Sequence, residues 1–237
     1  MNKIWIGNGQ LILPDKIVSG GSVLLEGKKI AAVNVPCPPD ARRVDVDGSY
    51  IMAGFVDIHV HGGGDSDFMD EDASAFPTIA KAHCAHGTTA LCPTTMTCAD
   101  SLLEKTIDLF LEADKEPENG AELLGLHLEG PYFSAASKGA QPIGEQRIPE
   151  REDLERILRR AKGSILRWDA APELPNMELF AKVMAENGVL TSLAHSAATA
   201  PEALRAFDWG FSHVTHFYNA CTTFHKKNGL VYSGIVE

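Results

Sequence analysis

The chain has 237 residues, 44% hydrophobic and 22% charged, an ordinary composition able to bury a core, which excludes a disordered or membrane-spanning chain. A net charge of −11 argues against general nucleic-acid binding, which needs a basic surface to displace phosphate counterions. The five cysteines show no Cys-x-x-Cys pair, which argues against both a disulfide framework and a thiolate zinc site.

The first residues alternate polar and apolar types and lack the apolar block of a secretory signal. No apolar run approaches the roughly 20 residues of a spanning helix, so a cytoplasmic protein is expected. Residues 1–50 read as a small β-sandwich-like domain: short alternating stretches at 3–6, 22–26, 29–35 and 43–46 are punctuated by Gly and Pro. From residue 51 to 237 the texture changes to strand and helix in turn. Strands are predicted near 52–59, 89–92, 122–128, 165–170, 190–195 and 213–216, with helices near 73–86, 99–113, 150–161, 176–187 and 200–208. Pro149 precedes one helix, and Asn187-Gly188 closes the next as a left-handed cap.

Such alternation predicts a parallel sheet covered by helices, and four of the strands end in metal-ligating residue types. The first ends in His59-Val60-His61, two side chains on one strand face followed by three glycines. The others end in Glu129, His195 and His216. Ligands at the C-terminal ends of strands one, three, five and six converge more easily in a closed barrel than in an open sheet. A TIM-type (β/α)8 barrel is therefore expected. Only six strands fit before Glu237, so the barrel is expected to be C-terminally incomplete, with open sheet edges that invite pairing with another chain.

The assembled motifs resemble the N-acetylglucosamine-6-phosphate deacetylases of the amidohydrolase superfamily. The matching segments are Ala53 to Gly62, Gly87-Thr88-Thr89 with Pro93-Thr94, His127 to Pro131, Lys138-Gly139-Ala140, Ala171-Pro172-Glu173, Ala194-His195-Ser196 and Thr215 to Ala220. The resemblance implies a main metal held by Glu129, His195 and His216, a set that leaves one position open as in catalytic zinc sites. Because His59 and His61 are both present, a second ion, or Glu129 shared between two, is also implied, with zinc or iron as the metal. His83, His86, His127 and His213 are not expected to be ligands.

In such enzymes the sugar would be contacted by Ala140, Asn219 and Ala220. The 6-phosphate would be met by the stretch His225-Lys226-Lys227, where relatives usually carry an arginine. Lysine binds phosphate as a point charge and not as a fork. The implied reaction is hydrolysis of an acetamide to an amine and acetate, in a protein that is commonly a homodimer. It needs a proton donor for the leaving amine. In the family this is an aspartate on the last barrel strand; no residue of this chain is assigned to it, and residues 1–237 alone are expected to be nearly inactive. Asp57 reads as a structural partner of His59. The competing readings are a cyclic amidase or deaminase, disfavoured because the stretch 167–173 lacks the lysine that cyclic amidases use, and a non-catalytic sugar- or metal-binding protein.

Overall fold

The computed structural model describes residues 3–142 and 144–222, together with the backbone of two short strands between 224 and 230. The chain divides into two compact units, Met1–Gly54 and Phe55–Glu237.

The first unit is all-β. Its long antiparallel pair, β1 (Lys3–Ile12) and β2 (Ile17–Glu26), is flanked by β3 (Lys29–Val33) on β2 and by β4 (Arg42–Asp45) and β5 (Tyr50–Ile51), both parallel to β1. The strands at 3–6 and 22–26 are longer than the alternation predicted, because register shifts around Gly7 and Gly9 carry the pairing on to Ile12. A small core of Leu11, Val23 and Ile51 holds this unit.

The second unit begins with β6 (Phe55–Val60), followed by a minute ribbon of β7 (Gly62–Gly63) and β8 (Ser66–Asp67). Strands and helices then alternate: α1 (Ala75–Cys84), β9 (Thr88–Thr95), α2 (Asp100–Glu112), β10 (Glu122–Leu123), β11 (Leu126–Glu129), α3 (Arg151–Ala161), β12 (Ile165–Ala170), α4 (Met177–Glu186), β13 (Leu190–Leu193), α5 (Ala200–Trp209) and β14 (His213–Val214). The backbone pair β15 (Phe224–His225) and β16 (Gly229–Leu230) follows.

Apart from the β7–β8 ribbon, the strands β6, β9, β11, β12, β13 and β14 pair in parallel in that order, and β10 is also parallel to β9. A doubly wound sheet reverses its strand order partway; this sheet does not, and its winding is that of a TIM-type barrel wall, as expected. One predicted strand is split. Gly125, at φ +156°, interrupts 122–128, since a Cβ there would fall 2.5 Å from Leu166 Cγ. The resulting β10 and β11 lie end to end against β9.

Alternation sorts the side chains. Leu128 and Trp168 turn to the helices, where Trp168 stacks with Tyr132 and Phe180 in a continuous apolar core. His127, Glu129, Arg167 and Asp169 turn the other way, and the pairings His127↔Arg167 and Glu129↔Asp169 align them across the two strands. Toward the strands' N-terminal ends that face is apolar and partly exposed, with Ile58, Leu124, Leu166 and Leu190 around a cavity of about 220 Å³. Among the described residues no helix is long and apolar enough to cross a membrane.

Candidate metal centre

Glu129 ends β11, turned by alternation onto the inner face and almost wholly buried, with 3% of its surface exposed. Its Oε1 lies 3.1 Å from His195 Nε2, 3.0 Å from His216 Nε2 and 3.8 Å from His59 Nε2. Its Oε2 lies 3.2 Å from His61 Nε2 and accepts a 2.9 Å hydrogen bond from Gln141 Nε2. The four histidines expected as ligands thus converge on the carboxylate of the fifth expected ligand, Glu129.

The proton positions follow from the other ring nitrogens. His61 Nδ1 faces the Thr94 carbonyl at 3.2 Å, His195 Nδ1 the Ser137 carbonyl at 3.0 Å and His216 Nδ1 the Asn219 carbonyl at 3.0 Å. A carbonyl oxygen only accepts, so each Nδ1 carries the proton, and in the neutral ring each Nε2 presents a lone pair to the centre. His195 Nε2 and His216 Nε2 are 3.0 Å apart. Two lone pairs and a carboxylate oxygen at these separations repel unless a cation or a proton lies among them. The donor set, imidazole nitrogens with a carboxylate, suits zinc and other first-row divalent ions, and the residues fit such an ion.

The electrostatics agree. Burial raises the Glu129 pKa, but the imidazoles of His195, His216 and His61 outweigh it and hold the carboxyl far below its ordinary range. Burial lowers His59 to about 4, against the opposing pull of Glu129. For His61 and His216 burial also lowers the pKa, but their contacts with Glu129 prevail and the net shift is upward.

The local chain is built to hold these groups. His195 and His216 sit just past β13 and β14 in the left-handed region, at φ +44° and +33°. The loop after His195 is tied down by Glu173, which accepts from Ser196 Oγ at 2.7 Å and from the Ala197 N–H at 2.6 Å. Asp57 Oδ1 accepts the His59 N–H at 3.1 Å. His83, on α1, contacts the Gly62 carbonyl through Nε2 at 3.0 Å, which anchors the glycine loop.

A cavity of about 460 Å³ opens over the centre, lined by the five groups above together with Met96, Gly139, Ala140, Gln141, Asn219 and Ala220. Ala140, Asn219 and Ala220 are therefore beside the centre. Of His225 only the backbone strand is described, and Lys226 and Lys227 lie outside the described residues.

Sequence reasoning missed two features. One is Gln141, whose Oε1 accepts from the Thr97 N–H at 2.8 Å, which fixes the amide so that Nε2 faces Glu129. The other is a buried charged layer beneath the ligands, formed by His127, Arg167 and Asp169. Its signal was two charges on one face of an otherwise apolar strand, Ile165 to Ala170.

Residues 50–229 match the model of the amidohydrolase family. An N-acetylglucosamine-6-phosphate deacetylase of Lysinibacillus sphaericus is 31% identical over 201 residues, 82% of this chain and 50% of its own length. An N-acetylgalactosamine-6-phosphate deacetylase of Escherichia coli O157:H7 is 28% identical over 234 residues, 98% of this chain and 58% of its own. The crystal structure of N-acetylglucosamine-6-phosphate deacetylase from Pasteurella multocida aligns with a TM-score of 0.88 at 26% identity, over 99% of this chain and 62% of that one. The chain spans about half the length of the curated relatives it matches.

Proposed function

Since the chain belongs to the amidohydrolase family, we propose that its metal centre hydrolyses the acetamide of an N-acetylated amino-sugar 6-phosphate, N-acetylglucosamine 6-phosphate above all, to the free amine and acetate. The observation that carries this reading is the convergence of four histidines and both oxygens of Glu129 at the floor of one cavity. Glu129 Oε1, His195 and His216 would hold the first divalent ion, zinc or iron. His59, His61 and Glu129 Oε2 would hold a second. A cation bound there supplies Lewis-acid activation of water and of the acetyl carbonyl.

The chain's own residues supply orientation. Asn219 is exposed at the cavity wall, three residues after His216, so its amide can hydrogen-bond a sugar hydroxyl next to the reacting centre. The small side chains of Gly139, Ala140 and Ala220 leave room for an acetyl group. The phosphate is assigned to His225, Lys226 and Lys227. Among the described residues lining the cavity Glu129 is the single carboxylate, and it is committed to the cation. Proton transfer to the leaving amine is therefore assigned to none of them.

The test is acetate release, followed by proton NMR at protein concentrations high enough to read the slow turnover expected without an assigned proton donor, from N-acetylglucosamine 6-phosphate, its galactosamine epimer and the unphosphorylated sugar. Release that requires a divalent metal, favours the phosphorylated sugars and disappears in Glu129→Gln is the expected result. Preference for a hydantoin or a purine, or release indifferent to metal removal, would overturn the proposal.

A further inference from the structure

Three of the four imidazoles at the centre share one arrangement, with Nδ1–H on a backbone carbonyl and Nε2 on Glu129. His59 departs from it. Its Nε2 also faces Glu129, but its Nδ1 is buried without a hydrogen-bond partner. Metal-ligating histidines characteristically donate their second N–H to a carbonyl or a carboxylate, which fixes tautomer and ring orientation.

A carboxylate is at hand. Asp169, fully buried on β12, has both oxygens without a well-aligned donor. One of its oxygens, a ring nitrogen of His59 and a ring nitrogen of His127 lie within 4.8 Å of one another. These three could be read as a further cation site, but the chemistry opposes it. His127 Nδ1 accepts from Arg167 Nη2 at 2.7 Å, so in the neutral ring the proton is on Nε2, the atom 2.8 Å from Asp169 Oδ1. A protonated nitrogen is not a ligand. Arg167, with Nε 3.6 Å from the same oxygen, adds a positive charge where a cation would have to sit.

We infer that Asp169 is a positioning residue for His59: with the second cation bound, its carboxylate accepts a hydrogen bond from His59 Nδ1–H, which keeps the proton on Nδ1 and presents the Nε2 lone pair to the cation, while His127 and Arg167 fix the carboxylate. Arg167 reinforces the placement from the backbone side. Its Nη2 also donates to the Ile58 carbonyl at 2.9 Å, one residue before His59. Thr94 Oγ1, in contact with His127 Nδ1 at 3.3 Å, accepts the Val60 N–H at 3.0 Å, one residue after it. The layer thus clamps the chain on both sides of His59. This inference rests on the reading that His59 and His61 hold a second ion.

The experiment is Zn2+ titration of the metal-free chain, with bound metal counted by mass spectrometry, in the wild type and in Asp169→Asn. The wild type is expected to bind two ions. The variant is expected to keep the affinity of the first, held by Glu129, His195 and His216, and to lose about 10–100-fold in the second. A merely structural role would weaken both ions alike, and that result, or two unchanged affinities, overturns the inference while leaving the binuclear reading intact. A wild type that binds one ion overturns both. Should Asp169→Asn not fold, long-range 1H–15N spectra of the zinc-loaded wild type decide, with His59 assigned by comparison with His59→Gln. An Nδ1–H tautomer at His59 supports the inference, and an Nε2–H tautomer overturns it.

Discussion

Gln141→Leu isolates what the bridging amide contributes to the centre. Gln141 is 2% exposed and makes two hydrogen bonds, accepting from the Thr97 N–H and donating to Glu129 Oε2. Leucine keeps much of the volume and removes both. Thr97 is itself buried, so its N–H is orphaned at a cost of about 1–3 kcal/mol, and the lost charge-assisted bond to Glu129 costs about 1.5–3 kcal/mol. Apolar burial of the leucine returns roughly 1 kcal/mol, which leaves a net loss of about 3 kcal/mol. For a chain of this size that lowers Tm by about 6–12 °C. Zn2+ affinity should fall about 10–100-fold, as when a group that orients a ligand is lost. Urea unfolding followed by tryptophan fluorescence reads the stability, because Trp168 is fully buried in the core of the second unit and donates to the Gly130 carbonyl at 2.8 Å. Competition titration reads the affinity. A variant within about 0.5 kcal/mol of the wild type, the ordinary effect of a substitution away from any such feature, and with unchanged Zn2+ affinity would show that the amide does not support Glu129. Gln141→Glu is the complement: it still accepts from Thr97 but sets a second carboxylate against Glu129, so it should destabilise the metal-free protein and recover when zinc is added.

Gly130→Ala should be destabilising by about 3 kcal/mol in urea unfolding, since the position requires φ +102° and the added Cβ would collide with Thr97 Oγ1 and lie 3.0 Å from Phe133 Cε2. Glu173→Gln keeps one acceptor oxygen where Ser196 and Ala197 use both, so a thermal melt should show a loss of about 2 kcal/mol, and calorimetric titration a weaker first zinc ion, held by the adjacent His195. Zinc affinity should rise with pH through the raised pKa values of His61 and His216, because each must shed its proton to bind. His59, lowered to about 4, is already neutral there and adds no dependence. Calorimetry in buffers of different ionisation enthalpy counts the protons released, and an affinity that falls as pH rises would rule out proton loss from these rings on binding.

Much of this was legible in the sequence for definite physical reasons. The helices and the parallel strands were readable because apolar periodicity switches cleanly between about two and about 3.6 residues after the β unit, and because Pro149 and Gly188 mark helix ends. The candidate ligands were readable because they stand at strand ends. Their mutual geometry was not, since it depends on loops whose backbone enters the left-handed region at histidines, a conformation uncommon for any residue but glycine. The layer of His127, Arg167 and Asp169 was hidden for another reason: buried charges violate the pattern by which cores are recognised, and only the alignment of β11 with β12 brings them together.

That layer and the left-handed ligands express one design. A non-glycine residue held at φ +44° or +33° costs of order 1–3 kcal/mol, and His195 and His216 both carry that cost in order to aim Nε2 at Glu129. The surrounding structure over-determines them through backbone bonds, Ser134 N–H to the His195 carbonyl at 3.0 Å and Asn219 N–H to the His216 carbonyl at 2.8 Å. Without a cation the converging lone pairs add repulsion to the strain. A bound ion converts both into stabilisation, by about 4 kcal/mol at a thousandfold excess over its dissociation constant. The centre is therefore a place where the second unit gives up stability in the metal-free state and regains it on binding. Charged groups are tolerated beneath it because His127, Arg167 and Asp169 answer one another, and because the ring that most needs support, His59, stands directly over them.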